Sequence, residues 1–200
     1  MKLYTKPGAC STADHIALAW SGLPYEFEIV KDSKSPEYLA INPTGAVPAL
    51  LDGDWVLTQN AAIMHYIGDL APQTGLFGDG SPKQTAEANR WLSFINADVH
   101  PAFKPLFGSV SYLDEATQKQ VKDNALETLR GYFVRMDEQL KTNDYLAGFR
   151  SAADAYAFIV ARWAKGVGVD LSGLEALKAY MGRMRDDAGV QAAFKAEGLG

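Results

Sequence analysis

Along the first 77 residues the spacing of apolar positions changes several times, and each change marks an element. "KLYT" is long enough only for a short strand, and after it Ala13, Ile16, Ala17 and Trp20 recur at helical spacing until Gly22 closes the run. In "YEFEIV", Tyr25, Phe27 and Ile29 alternate with Glu26 and Glu28, the two-residue period of a half-buried strand. "SPEYLAI" predicts a short helix. In "AVPALLDGDWVL" two apolar runs flank Asp52-Gly53, a hairpin signal. "NAAIMHYIGDLAP" then places Ile63, Tyr66, Ile67 and Leu70 on one helical face, with Asn60 as the expected cap and Pro72 as the stop. The order is β-α-β-α-β-β-α.

"PQTGLFGDGSPK" has no period and is rich in Gly and Pro, which predicts a linker. Everything after it reads as helix. Trp91, Ile95 and Val99 share one side of "QTAEANRWLSFINADVH", with Pro101 and Pro105 expected to bend or break it, and Leu129, Phe133, Met136 and Leu140 repeat the pattern. "SAADAYAFIVARWAKGVG" opens with Ser151 and Asp154 in the spacing of a capping box and ends at a glycine. The expectation is an α/β domain over 1–77 followed by an all-α bundle over 84–200.

Hydrophobic residues make up 48% of the chain and charged residues 22%, enough apolar material for a real core and too much for disorder. A net charge of -5 without a run of Lys or Arg points away from nucleic acid and anionic membranes, and toward a small-molecule partner. No stretch approaches the roughly 20 apolar residues of a membrane span. One cysteine forms no internal disulfide, and "MKLYTKPGAC" lacks the apolar core of a signal peptide, so the expected location is the cytoplasm. His15, His65 and His100 are scattered, so no metal site is expected.

Three stretches remain for chemistry. Cys10 falls between a strand and a helix N-terminus, where unpaired N–H groups favour a thiolate, so a depressed pKa is expected; the other reading is a small inert packing residue. The string Cys10-Ser11-Thr12-Ala13 holds no second sulfur, so any disulfide would need an external thiol. Pro48 opens a strand-like run and makes its start edge-like; a cis bond there would leave the N–H and C=O of Val47 free for an extended peptide. Thr58-Gln59-Asn60 leads into a helix whose N-terminus suits a carboxylate, or is an ordinary cap.

Together, "KPGACS", "NPTGAVPAL", "LTQNAAI", "DVHPAF" and "SAADAYAFIVARWA" resemble the motifs of the glutathione S-transferase family, and of its bacterial beta class in particular, over the whole chain. The resemblance implies a thioredoxin-like first domain, a cis Pro48, and glutathione as co-substrate with no metal. It implies Cys10, Ser11 and His100 for the chemistry, Val47, Pro48, Gln59, Asn60 and Ser93 for glutathione, and Tyr4 and Trp163 for a hydrophobic electrophile. It also implies a homodimer.

The chain departs from the family where a Glu-Ser pair is usual and Gln59-Asn60 stands instead, which replaces a charge-assisted bond to the glutathione ammonium by a neutral one. Thr5, Ser93 and Pro101 also replace residues common in the class. Without the resemblance, His100 reads as a capping or core histidine, and Trp163 equally as core. Conjugation of glutathione to hydrophobic electrophiles is the leading expectation. Thiol-disulfide or lyase chemistry through Cys10 and non-catalytic carriage of hydrophobic ligands are the alternatives.

Overall fold

The structure, a computed structural model, describes residues 1–199; Gly200, the last residue of the expected helical part, lies outside them. β1 (Lys2–Thr5), α1 (Ser11–Ser21), β2 (Glu26–Ile29), α2 (Pro36–Ile41), β3 (Ala49–Asp52), β4 (Trp55–Thr58) and α3 (Asn60–Leu70) succeed one another in the expected order. The sheet runs β2-β1-β3-β4, with β1 parallel to β2 and β3 antiparallel to both its neighbours. Asp52 pairs with Trp55, so the hairpin turn is Gly53-Asp54, one position later than the apolar runs suggest. Gly53 has φ 62, which the first central position of a II′ turn requires.

β2 does not show the expected buried alternation. It is a four-residue edge strand, and Phe27 remains 38% exposed although its ring rests 4.8 Å from that of His15. One face of an edge strand has nothing above it to bury against, and period-two patterning cannot report that.

The helical part comprises α4 (Pro82–Phe94), a π turn (Ile95–Val99), α5 (His100–Ala102), α6 (Glu115–Leu140), α7 (Ala152–Val167), α8 (Glu175–Arg185) and α9 (Ala188–Glu197). The π turn is the bend expected near Pro101. A proline ring collides with the carbonyl four residues back, here Ala97, and the wider turn moves that carbonyl away; His100 N–H bonds Ile95 O, five residues back. Trp91, Ile95 and Val99 stay buried through it.

α7 runs through the centre of the core, and Ala152 to Ala161 are all buried. α1 packs on α3, α7 and α9. Among the bonds that tie the parts together, Leu76 O accepts the Ala152 N–H at 2.9 Å, and the Trp20 indole donates to Asp187 Oδ1 at 2.7 Å.

Because α7 starts inside the protein, its free N–H groups need protein partners. Asp154 Oδ2 accepts the Ser151 N–H at 2.8 Å, and Oδ1 accepts the Leu146 N–H at 3.0 Å. Asp154→Asn keeps only one acceptor oxygen, so it should lower the unfolding free energy by about 1 to 3 kcal/mol. Burial pushes the Asp154 carboxyl up to about 6. A carboxyl raised in the folded state contributes stability that is complete below its unfolded value of about 4 and lost as pH climbs through its folded value. The wild-type advantage over Asp154→Asn in denaturant titrations should therefore narrow from about pH 4 to about pH 7.

Candidate active site

Cys10 occupies the N-cap position of α1 in helical backbone (φ −56°, ψ −31°), and its thiol donates to Val47 O at 3.4 Å. The expected depressed pKa is not found. Burial, reinforced by the nearby Asp14, pushes the thiol up to about 12. The magnitudes explain the reversal: a helix N-terminus favours an anion by up to about 2 kcal/mol, whereas desolvation moves a buried group by up to 3–5 pKa units. Cys10 is thus a neutral hydrogen-bond donor at physiological pH.

Beneath Cys10, α1 is held by polar groups that the apolar pattern did not mark. Glu197, the last residue of α9, is buried; its Oε1 accepts from Thr5 Oγ1 at 2.8 Å and from His15 Nδ1 at 2.9 Å, and its Oε2 from Thr12 Oγ1 at 2.7 Å. Thr5 has one hydroxyl proton and gives it to Glu197, so Ser11 donates to Thr5 Oγ1 at 2.9 Å while accepting the Lys6 N–H. Asn60 uses both amide protons inward, on Asp14 Oδ2 at 2.7 Å and on Cys10 O at 2.9 Å. Burial first, then the Glu197 charge, holds the Asp14 carboxyl well above the usual carboxylate range.

Four residues singled out from the sequence stand elsewhere than expected in this arrangement. Asn60 is not the helix cap; Gln59 takes that position, and the Asn60 amide braces Cys10 instead. Ser11 is fully buried, turned onto Thr5 and Lys6, and does not line the cleft. Tyr4 packs below the sheet in a cluster with Tyr38, Val30 and Ala49, outside both cavities described below. Ser93 is exposed on α4, and the polar side chain that this helical run brings to the cleft is Asn96, three residues on.

The remaining residues converge. The Val47–Pro48 peptide is cis, as the resemblance implies. Ala46 O, just before it, accepts from Tyr38 OH and Asn42 Nδ2, both at 2.7 Å, which pins the loop. Of the two Val47 groups expected to be free, the carbonyl already receives the Cys10 thiol, while the N–H has no partner among the described residues. Gln59 is held at φ 76, ψ 118, exposed, and its side chain makes no capping bond. A polar cavity of about 240 Å³ brings together Cys10, Val47, Pro48, Gln59, Asn60 and His100.

His100 hydrogen-bonds through Nδ1 to Tyr156 OH. Burial, helped by Lys104, lowers the pKa of His100, and burial raises that of Tyr156, so the tyrosine keeps its proton and donates it; the neutral imidazole then carries its own on Nε2. Tyr156, Asn96 and Lys104 also line this cavity and were not singled out from the sequence. Asn96 and His100 lie four apart, so their shared face was legible in principle.

Trp163 stands between this polar cavity and a second, apolar one of about 1050 Å³. Its indole donates to Gly8 O at 2.7 Å, and its ring meets His100 at 4.9 Å, Phe103 at 5.4 Å and Phe107 at 5.5 Å. Among the described residues, no group of three or more His, Cys, Asp or Glu could hold a metal ion, and no helix is long and apolar enough to cross a membrane.

Comparison with known proteins agrees with this geometry. The family model for the glutathione S-transferase N-terminal domain matches residues 4–75, and that for the C-terminal domain matches residues 90–187. The chain is 56% identical over 203 residues to glutathione S-transferase GST-4.5 of Xanthomonas campestris, covering all of both sequences. A glutathione S-transferase structure from Xylella fastidiosa superposes with a TM-score of 0.96 at 55% identity, over 99% of this chain and 98% of that one. A sphingomonad glutathione S-transferase complexed with glutathione superposes with a TM-score of 0.87 at 38% identity over the full length of both.

A thiol raised this far should alkylate slowly at neutral pH. The iodoacetamide rate of the free protein, followed against pH, should still be rising at pH 10, more than a unit above the ordinary thiol value of about 8.5. A plateau near neutrality would restore the thiolate reading.

Proposed function

The chain belongs to the glutathione S-transferase family, and on that premise we propose how its two cavities share the work of adding glutathione to a hydrophobic electrophile. Residues 1–77 serve as the glutathione-binding domain, and residues 84–200 supply the electrophile side of the cleft. The observation that carries this reading is the meeting, in one polar cavity, of the Cys10 thiol, the unpartnered Val47 N–H, the N-terminus of α3 and His100, with the apolar cavity next door behind Trp163.

Glutathione lies extended along Val47, with the γ-glutamyl end at Gln59 and the N–H groups that open α3. Those groups favour a carboxylate through the dipole and their unpaired donors. The residues fit such a peptide: a backbone donor for its backbone, a helix N-terminus for its anion, and an exposed amide at Gln59 with no competing bond.

Cys10, with its proton held by burial, turns its thiol from Val47 O to donate to the sulfur of bound glutathione, which frees that carbonyl for the peptide, and the His100 Nε2–H offers a second donor in the same cavity. Hydrogen bonds to an anion favour its charged form, so both stabilise the thiolate that attacks. Asp14 and Asn60 are positioning residues, since they act through the carbonyl of Cys10. Trp163 and Phe107, backed by the buried Phe103, form the apolar wall that receives the electrophile. Exposed Trp55, Leu70 and Val134 support assembly as a two-fold homodimer. The proposed role is detoxification in the cytoplasm, where a lone thiol stays reduced.

Saturating glutathione should shift the backbone amide signals of Val47 and Asn60 in the folded protein; unmoved signals would reject the assigned groove. Gln59→Glu should tighten glutathione binding, measured by calorimetry, by about 1 kcal/mol through a charge-assisted bond to the ammonium. For the assembly, sedimentation at micromolar concentration should show a dimer, and a purely monomeric boundary would remove that part of the reading.

A further inference from the structure

The polar cavity is electrically one-sided. Of the side chains that line it, Lys104 alone carries a fixed charge, and no Asp or Glu lines it among the described residues. Lys104 is exposed and has no carboxylate within 4.0 Å among the described residues. Its charge reaches into the cavity, where after burial it is the second cause that lowers the pKa of His100. Gln59, at the N-cap of α3, makes no side-chain cap bond, so the positive end of that helix dipole is not offset locally either.

The acids nearby in the chain do not balance this. Asp14 lies one turn along α1 from Cys10, but it is fully buried and outside the lining, and burial holds its carboxyl well above the usual carboxylate range. Asp98, two residues before His100, is exposed and also outside the lining. Asn60 spends both amide protons inward. What remains at the γ-glutamyl end is the neutral amide of Gln59. Glutathione brings two carboxylates and one ammonium to this cavity. Cationic and N–H groups suit the carboxylates, while the ammonium meets no group of opposite charge. A charge-assisted bond is roughly twice as strong as a neutral one, so an ammonium held by an amide gains little over water.

We propose that this chain reads the carboxylate of the γ-glutamyl group and not its ammonium, so that its thiol co-substrates include peptides whose acyl group ends in a carboxylate alone, such as glutaryl-cysteinylglycine. With an aryl chloride as electrophile, the sulfur of such a peptide forms the new bond to carbon, chloride leaves with the bonding pair, and the thiol proton passes to water. The proposal rests on the placement of glutathione given above, and it adds the class of thiol accepted and the residue, Gln59, that sets it.

Two truncated peptides test it by calorimetry on the full chain. Glutaryl-cysteinylglycine is glutathione without its ammonium, and γ-aminobutyryl-cysteinylglycine is glutathione without the neighbouring carboxylate. The first should bind as tightly as glutathione within about twofold, or up to about threefold tighter, since it lacks the charge that the helix N-terminus repels. The second should bind at least about tenfold more weakly. With chlorodinitrobenzene the glutaryl peptide should form its thioether and release chloride as glutathione does. Gln59→Glu should make glutathione the tighter of the two by about fivefold, because a carboxylate then faces the ammonium. The wild-type comparison needs no variant to fold. A wild-type preference for glutathione over the glutaryl peptide of more than about twofold, equal losses from the two truncations, or a folded Gln59→Glu variant that treats both thiols alike would each overturn the proposal. Binding of glutathione alone would overturn it and leave the transferase reading standing, whereas binding of neither thiol would sink both.

Discussion

A helix that begins in a dry interior has to satisfy its first N–H groups without water, and α7 is such a helix. The solution is local in sequence: Ser151 and Asp154 form the capping box, and the second Asp154 oxygen reaches back to Leu146. Much else in the molecule is set by where that helix lies. α1 packs on it from the first domain, α4 and the π turn pack on it from the helical half, and α8 packs against it with the Tyr180 hydroxyl donating to Asp154 O at 2.9 Å. Tyr156 and Trp163 leave the same helix two turns apart, so one rigid rod fixes the partner of His100 and the wall between the two cavities.

α1 is the other fixed part of the site, and it is anchored by polarity rather than by apolar packing alone. A buried carboxylate such as Glu197 is tolerable only with its oxygens filled, and Thr5, Thr12 and His15 fill them. The effect reaches the cleft indirectly. The same helix carries Asp14, which takes one Asn60 amide proton while the other holds the Cys10 carbonyl. Cys10 therefore sits on a scaffold braced from α9 on one side and from α3 on the other. A thiol in so confined a place loses hydration, and this is why its charge is disfavoured despite a helix N-terminus at hand.

Elements were legible wherever one face is covered and the other is not. Leu129, Phe133, Met136 and Leu140, or Trp91, Ile95 and Val99, show their burial in their spacing alone. β2 was misread in its burial because an edge strand has the pattern of a covered one without the cover. The motif residues Cys10, Val47, Pro48, Gln59, Asn60 and His100 do line one cavity, and this was readable only through their order along the chain. Ser11 stands in the first motif, and Tyr4 and Ser93 only a few residues from one, yet each faces elsewhere, because adjacency in sequence does not fix direction. The braces were invisible for a different reason. Asp14 and His15 stand inside an apolar helical stretch, and the residue that explains His15 and Thr12 lies more than 180 positions away.

That separation carries a consequence for the order of events during synthesis. Thr5 and Glu197 are 192 positions apart and share one hydrogen bond in the finished protein. While a ribosome is still making α8, the sheet and α1 have already emerged, but the polar groups on the underside of α1 face no carboxylate. The first domain must wait as a partly finished surface until the last helix arrives, and its Thr5, Thr12 and His15 hold water in the meantime. Closing so long a loop costs entropy that only the last contacts return. Thr5, Thr12 and His15, made long before α9, are thus among the last residues to reach their final environment, and in a living cell this interval is when the nascent chain is most open to chaperones and proteases.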